Sequence, residues 1–259
     1  MLKRIGKRLL RVTLWTTLVA LAIWGAYKSA RHALQMPTAT EINATDNVGL
    51  GLSNSEATAV RRSRESVVQV FSFDIRDGGI SAMTGTYLSY KGKYFVLTAA
   101  HGIFGPCAFT NVIVNEELYA CQQYVLMDRQ WDYIIMQVDK IPDRTPVKIP
   151  SHIPHHKEWI SELAVQNTIF YTGFPNDGGP YTFDGRIVGY DETTALFVDS
   201  YGWSGSSGAG VFSRSGNLIG WVMALEVGQT EFGPQVLENF IWVIPLFKID
   251  WPAVEGFAE

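Results

Sequence analysis

The chain has 259 residues, 47% of them apolar, enough for one large domain or two small ones with a sizeable core. A formal net charge of −4 argues against a nucleic-acid binder, which usually shows a basic face, so no nucleic-acid partner is expected. No internal repeat and no long low-complexity tract occurs, and 24 glycines among many short apolar runs suit an all-β fold rich in turns.

At the amino terminus, Lys3, Arg4, Lys7, Arg8 and Arg11 precede an uncharged run over residues 12–27. The run carries Leu14, Leu18, Val19, Leu21 and Ile23, with Trp15 near one end and Trp24 and Tyr27 near the other. Leu9 and Leu10, with a snorkelling Arg11, would extend it to membrane-spanning length. The excess of basic residues before it over Lys28 and Arg31 after it predicts a cytoplasmic tail over residues 1–11. The expectation is a single-pass signal anchor in the inner membrane, with the remainder on the periplasmic side and the membrane as a partner. A cleaved signal peptide is the alternative: Ala20-Leu21-Ala22 offers a cleavage site but leaves too short an apolar core. Residues 28–60 then read as a linker, polar and weakly patterned. Within it Ser53 and Glu56 have the spacing of a capping box for a short helix, belonging either to the linker or to the domain that follows.

A globular domain is expected over residues 61–259. Strand patterns occur at 66–71, 84–90, 94–98, 112–114, 133–138, 168–171, 185–190, 195–198, 209–212, 218–225 and 240–244. The second and third form a hairpin across Lys91-Gly92-Lys93. Short strands at this spacing indicate a sandwich or barrels. Residues 151–164 read as an excursion between two barrels, and 247–257 as a cover for a barrel end. His152, His155 and His156 cluster in that excursion. Pro154 interrupts them and no acidic or cysteine partner has a fixed spacing, so they read as a solvated loop and not a metal site.

Three short motifs carry chemistry. Thr98-Ala99-Ala100-His101 ends an apolar strand. Asp132 heads Tyr133-Ile134-Ile135-Met136. Gly205-Ser206-Ser207-Gly208 precedes the strand Ala209-Gly210-Val211-Phe212. A serine hydroxyl attacks a carbonyl only if a histidine takes its proton and an aspartate holds that imidazole in the right tautomer. His101, Asp132 and Ser207 supply those groups. The amides of Gly205 and Ser207 are the expected oxyanion hole, which requires a glycine conformation at Gly205. Ser204, in Gly202-Trp203-Ser204-Gly205, is the rival nucleophile. It is followed by residues too polar for a buried strand, whereas Ser207 is followed by apolar ones.

These three motifs resemble those of the chymotrypsin-like (trypsin-like) serine peptidases, nearest to the bacterial Deg/HtrA-type proteases. Asp199, eight residues before Ser207, and the late Ile244-Pro245 add to the resemblance, which covers roughly residues 66–249. It implies two six-stranded antiparallel β-barrels with the site between them, and a serine endopeptidase acting on proteins or peptides without cofactor or metal. Ser206 replaces the usual acidic residue or asparagine before the nucleophile, and Gly210 the usual proline after it. Too few residues follow Ile249 for a PDZ domain. A protease-fold module that binds without turnover is the alternative function. The resemblance also places the base of the specificity pocket at Tyr201 and its wall at Met223, Ala224 and Leu225. That implies small or medium apolar side chains before the scissile bond, in preference to Lys or Arg. Asp199 and Glu226 are the nearest acids to this pocket.

Cys107 and Cys121, the two cysteines of the chain, both follow His101 closely. Export to an oxidising compartment predicts a disulfide between them; two separate buried thiols are the alternative.

Overall fold

The computed structural model describes residues 2–35, 49, 51–76, 78–149, 156–231 and 233–258. It divides into two units, residues 1–48 and 49–259.

The first unit contains helix α1, Leu2–Gln35. Among the described residues no helix is long and apolar enough to cross a membrane. This corrects the expectation of a single-pass anchor over residues 12–27, and with it the inner-membrane location and the membrane partner. Helix α1 has 34 residues, but its uncharged run of 16 rises only about 24 Å, against a hydrocarbon layer of about 30 Å. Threonines dilute that run further: the Thr16 and Thr17 hydroxyls each donate to the Thr13 carbonyl at 2.9 Å.

The second unit begins with helix α2, Asn54–Ser66. Ser53 caps it, with its hydroxyl accepting from the Glu56 amide while the Glu56 carboxylate accepts from the Ser53 amide. The Arg62 guanidinium donates to the Gly216 carbonyl at 2.8 Å and the Ser63 hydroxyl donates to Thr172 Oγ1 at 2.7 Å. These bonds make α2 part of the folded unit.

Eight strands follow: β1 Val67–Phe73, β2 Ile80–Tyr90, β3 Lys93–Thr98, β4 Thr110–Val114, β5 Glu117–Ala120, β6 Gln123–Asp128, β7 Tyr133–Gln137 and β8 Val147–Lys148. They form one antiparallel sheet in the order β5-β4-β1-β2-β3-β7-β6, with β8 added in parallel to β2. Helix α3, His156–Glu162, leads to the second half. His156 opens this helix; His152 and His155 lie outside the described residues. Strands β9 Thr168–Gly173, β10 Tyr181–Tyr190, β11 Leu196–Asp199, β12 Gly210–Ser213, β13 Leu218–Thr230 and β14 Gly233–Pro245 close into a barrel, β10-β11-β14-β13-β12-β9.

The architecture is chymotrypsin-like and mostly β, but only one of the two expected six-stranded barrels is closed. The first sheet curls but, among the described residues, no ladder joins its edge strands β5 and β6. Side chains span the gap instead. Thr110 Oγ1 and the Tyr124 hydroxyl are 2.6 Å apart, and Cys107 is bonded to Cys121 with their Cα atoms 5.3 Å apart. The core inside the curl holds Val68, Val70, Val96, Val112, Ile134 and Met136. Helix α4, Trp251–Ala258, covers this open sheet: Trp251 packs on Tyr90 with ring centroids 5.5 Å apart, and Lys93 Nζ donates to the Phe257 carbonyl. The cover expected over residues 247–257 thus lies on the open half.

Candidate active site

His101 follows β3 and Asp132 precedes β7, two strands paired from Phe95↔Gln137 to Thr98↔Ile134. This pairing brings the ends of both strands together. Asp132 takes a left-handed backbone, φ +53°, which its short polar side chain tolerates. Its carboxylate accepts twice from one residue: Oδ1 from the His101 amide at 2.7 Å and Oδ2 at 2.6 Å from His101 Nδ1. Its carbonyl accepts from the Ala100 amide and from Trp221 Nε1, both at 3.3 Å. Arg129 donates to the Ala100 and Ile103 carbonyls, fixing the turn that carries His101. Asp132 is buried and His101 is exposed, so the imidazole has one edge on the carboxylate and the remainder toward solvent. With Nδ1–H donating to Asp132, Nε2 is left as the free base.

The glycine-flanked turn comes from the other half, between β11 and β12. Ser204 is exposed, Ser206 is buried and Ser207 is partly exposed. Gly205 has φ +96°, and a Cβ there would lie 2.5 Å from the Phe174 carbonyl oxygen, so no other residue fits. The Ser206 amide donates to the Trp203 carbonyl at 2.9 Å and the Gly208 amide to the Val222 carbonyl at 2.7 Å. The Gly205 and Ser207 amides have no acceptor among the described residues. These are the two amides that the sequence reading assigns to the oxyanion hole. The turn docks on the first half: the Thr84 amide donates to the Ser207 carbonyl at 3.0 Å and the Thr86 hydroxyl to the Gly208 carbonyl at 3.3 Å. Among the described residues no hydrogen bond joins His101 to the Ser207 hydroxyl. The structure therefore pairs His101 with Asp132 and seats Gly208 of the serine turn against Thr98 and Ala99, just before His101. Hydrogen bonds between base and nucleophile are commonly long in unliganded sites and tighten with substrate.

Around the expected pocket, the Tyr201 ring lies tilted beside Phe183, with centroids 5.3 Å apart, and Phe183 lies 5.2 Å from Tyr171. The Tyr171 hydroxyl donates to the Tyr201 carbonyl, and burial pushes its pKa upward, keeping it a neutral donor. A Cβ on Gly202 would stand 2.5 Å from Leu225 Cδ2, so Leu225 packs directly against the residue after Tyr201. Met223, Ala224 and Leu225 are all partly exposed on β13. Asp199 is exposed at the end of β11. The sequence reading missed Thr84, which it placed only as the start of a strand.

An open antiparallel sheet carrying a His–Asp pair, set against a closed barrel carrying a serine in a glycine turn, defines the chymotrypsin-like class of serine hydrolase. Residues 83–220, just over half of the chain, match the trypsin-like peptidase domain family, to which this chain belongs as a serine endopeptidase. Solved structures resemble it at low identity. A serine endoprotease from Yersinia pestis has a TM-score of 0.58 at 20% identity, over 80% of this chain and 69% of the other. A protease from M. tuberculosis in its active form gives 0.54 at 18%, over 76% and 81%. The HtrA-type protease AlgW, solved with a tripeptide, gives 0.57 at 18%, over 78% and 64%. No curated protein sequence matches the chain significantly.

Proposed function

We propose that this endopeptidase cleaves peptide bonds through an acyl-enzyme on Ser207. Ser207 Oγ bonds to the substrate carbonyl carbon as its proton passes to His101 Nε2. The Gly205 and Ser207 amides take the oxyanion. The carbon–nitrogen bond then breaks as His101 gives the proton to the leaving amine; water, deprotonated by His101, attacks the acyl carbon, and the ester bond breaks as His101 returns the proton to Ser207 Oγ. Asp132 holds the imidazole and stabilises its charged form. The observation that carries this reading is the double acceptance by Asp132 from His101, with a turn whose Gly205 and Ser207 amides have no acceptor among the described residues. It needs no cofactor or metal.

The substrate is a protein or peptide. With Tyr201, Met223, Ala224 and Leu225 around the pocket, the side chain before the scissile bond is Val, Ala or Leu rather than Lys or Arg. One methylene changes such binding by only about 1–3 kcal/mol, so the preference is soft. A mixed peptide library tests both parts. Cleavage after small and medium apolar residues, lost in Ser207→Ala and kept in Ser204→Ala, is expected. Cleavage mainly after Lys or Arg would mean that Asp199 or Glu226 reaches the pocket. Activity surviving in Ser207→Ala but lost in Ser204→Ala would move the nucleophile to Ser204.

A further inference from the structure

Thr84 is fully buried on β2, in the half of the domain that carries His101, and each of its polar atoms is engaged. Its amide donates to the Ser207 carbonyl at 3.0 Å. Its hydroxyl donates to the Gly205 carbonyl at 2.7 Å and accepts from the Phe174 amide at 2.9 Å. Its carbonyl accepts from the Thr98 hydroxyl at 2.6 Å, three residues before His101. One hydrogen bond would satisfy a buried threonine hydroxyl; this residue instead joins β3, the loop after β9 and the nucleophile turn.

The consequence lies in peptide geometry. The N–H and C=O of a trans peptide point in opposite directions, so fixing a carbonyl aims the amide of the same plane. The Gly205 amide shares its plane with the Ser204 carbonyl, which accepts from the Asn176 amide at 2.7 Å. Asn176 lies two residues beyond Phe174, whose own amide is held by the Thr84 hydroxyl. The Ser207 amide shares its plane with the Ser206 carbonyl, which accepts from the Ala209 amide at 3.1 Å. That plane is flanked by the Gly205 and Ser207 carbonyls, both held by Thr84. Each proposed oxyanion donor is therefore adjacent to a contact made by Thr84.

We propose that the Thr84 hydroxyl is the positioning group that holds the Gly205 and Ser207 amides in oxyanion-binding orientation. This rests on Ser207 as nucleophile. Thr84 reaches no reacting atom and acts through Gly205 and Phe174. Removing its hydroxyl leaves a buried carbonyl and a part-buried amide without that partner, and the turn can then rotate to satisfy them. Donors aimed at developing charge act on the transition state more than on the bound substrate, so the loss should fall on kcat.

The test compares full-length Thr84→Val, which keeps the side-chain shape, with Thr84→Ser, which keeps the hydroxyl. Rates are normalised to sites titrated with a serine-directed phosphonate. Thr84→Val should lower kcat about 10–100-fold with KM within about twofold, and Thr84→Ser should stay within about threefold of wild type. Affinity for a peptide aldehyde, whose adduct places an oxyanion in the hole, should fall by the same factor as kcat/KM. Affinity for the product peptide should not change. If Thr84→Val does not fold, Thr84→Ala removes the same hydroxyl and is judged by the same criteria. Wild-type kcat in Thr84→Val, an equal loss in Thr84→Ser, or a loss confined to KM would overturn the inference. Loss of activity in Ser207→Ala alone would sink only the role of Thr84; full activity in Ser207→Ala would sink the reading of the site along with it.

Discussion

The six strands of the carboxyl-terminal half close on themselves, whereas the amino-terminal sheet stays open, with β5 and β6 as its two edges. The halves also contribute different chemistry. The closed barrel offers backbone: the turn at Gly205–Gly208, whose Gly205 and Ser207 amides have no acceptor among the described residues. The open sheet offers side chains: His101 and Asp132, held by the register of β3 against β7. An amide donor needs a backbone that cannot relax, which a closed ladder provides. A His–Asp pair needs only two adjacent strand ends, so the sheet that bears it can stay open, with a disulfide, a Thr110–Tyr124 hydrogen bond and helix α4 in place of the missing ladder.

The largest expected effect tests the side-chain half. Asp132→Asn keeps the shape but removes the acceptor that sets the His101 tautomer, and kcat should fall by about three to four orders of magnitude. Circular dichroism should be unchanged, and steady-state kinetics on a cleavable peptide measures the loss. A loss under tenfold would mean that the 2.6 Å contact does not orient the imidazole.

The next tests the backbone half. Gly205→Ala meets the Phe174 carbonyl and imposes a side chain at φ +96°. The turn must move, and kcat should drop about 100-fold or more, as when one oxyanion donor is removed. Wild-type turnover would show that the Gly205 amide takes no part.

The third probes how the open sheet is held. Cys107→Ser with Cys121→Ser removes a cross-link of sequence separation 14. The chain-entropy model gives a cost of about 3 kcal/mol. Denaturant unfolding should show that loss, with amide exchange quickening in β4 to β6 and not in the closed barrel. Uniform quickening across both halves would mean they unfold as one cooperative unit.

The smallest is a pH effect in the open half. Hydrogen bonds from the Arg76 side chain, then its amide, hold the Asp74 carboxyl down at about 2. A carboxyl depressed in the folded state adds stability that is present above its unfolded pKa of about 4 and is lost as pH falls toward about 2. Asp74→Asn should flatten the acid limb of the unfolding midpoint in that window and leave pH 7 kinetics alone. An unchanged acid limb would remove Asp74 from the acid response.

The strand ends that carry the site were legible because their neighbours are strongly apolar: Ile134, Ile135 and Met136 after Asp132 are fully buried. The cap at Ser53 was legible because a capping box is local. Strand β5 was not, since three of its four residues are exposed and no alternation marks them. Nor were the open edges at β5 and β6 or the position of helix α4, because strand spacing says nothing about which edges meet. The amino-terminal run misled because basic flanks and belt aromatics imitate an anchor whose apolar length falls short. Thr84 was invisible for a plainer reason: its hydroxyl bonds to a carbonyl 121 residues away.

The most direct measurement is labelling with a serine-directed peptidyl phosphonate, followed by mapping of the adduct by mass spectrometry. One adduct per chain on Ser207 is expected, absent from Ser207→Ala and strongly slowed in His101→Ala. An adduct on Ser204, or none on a folded chain, would contradict a His101–Asp132–Ser207 peptidase, the second result favouring a protease fold that binds without turnover.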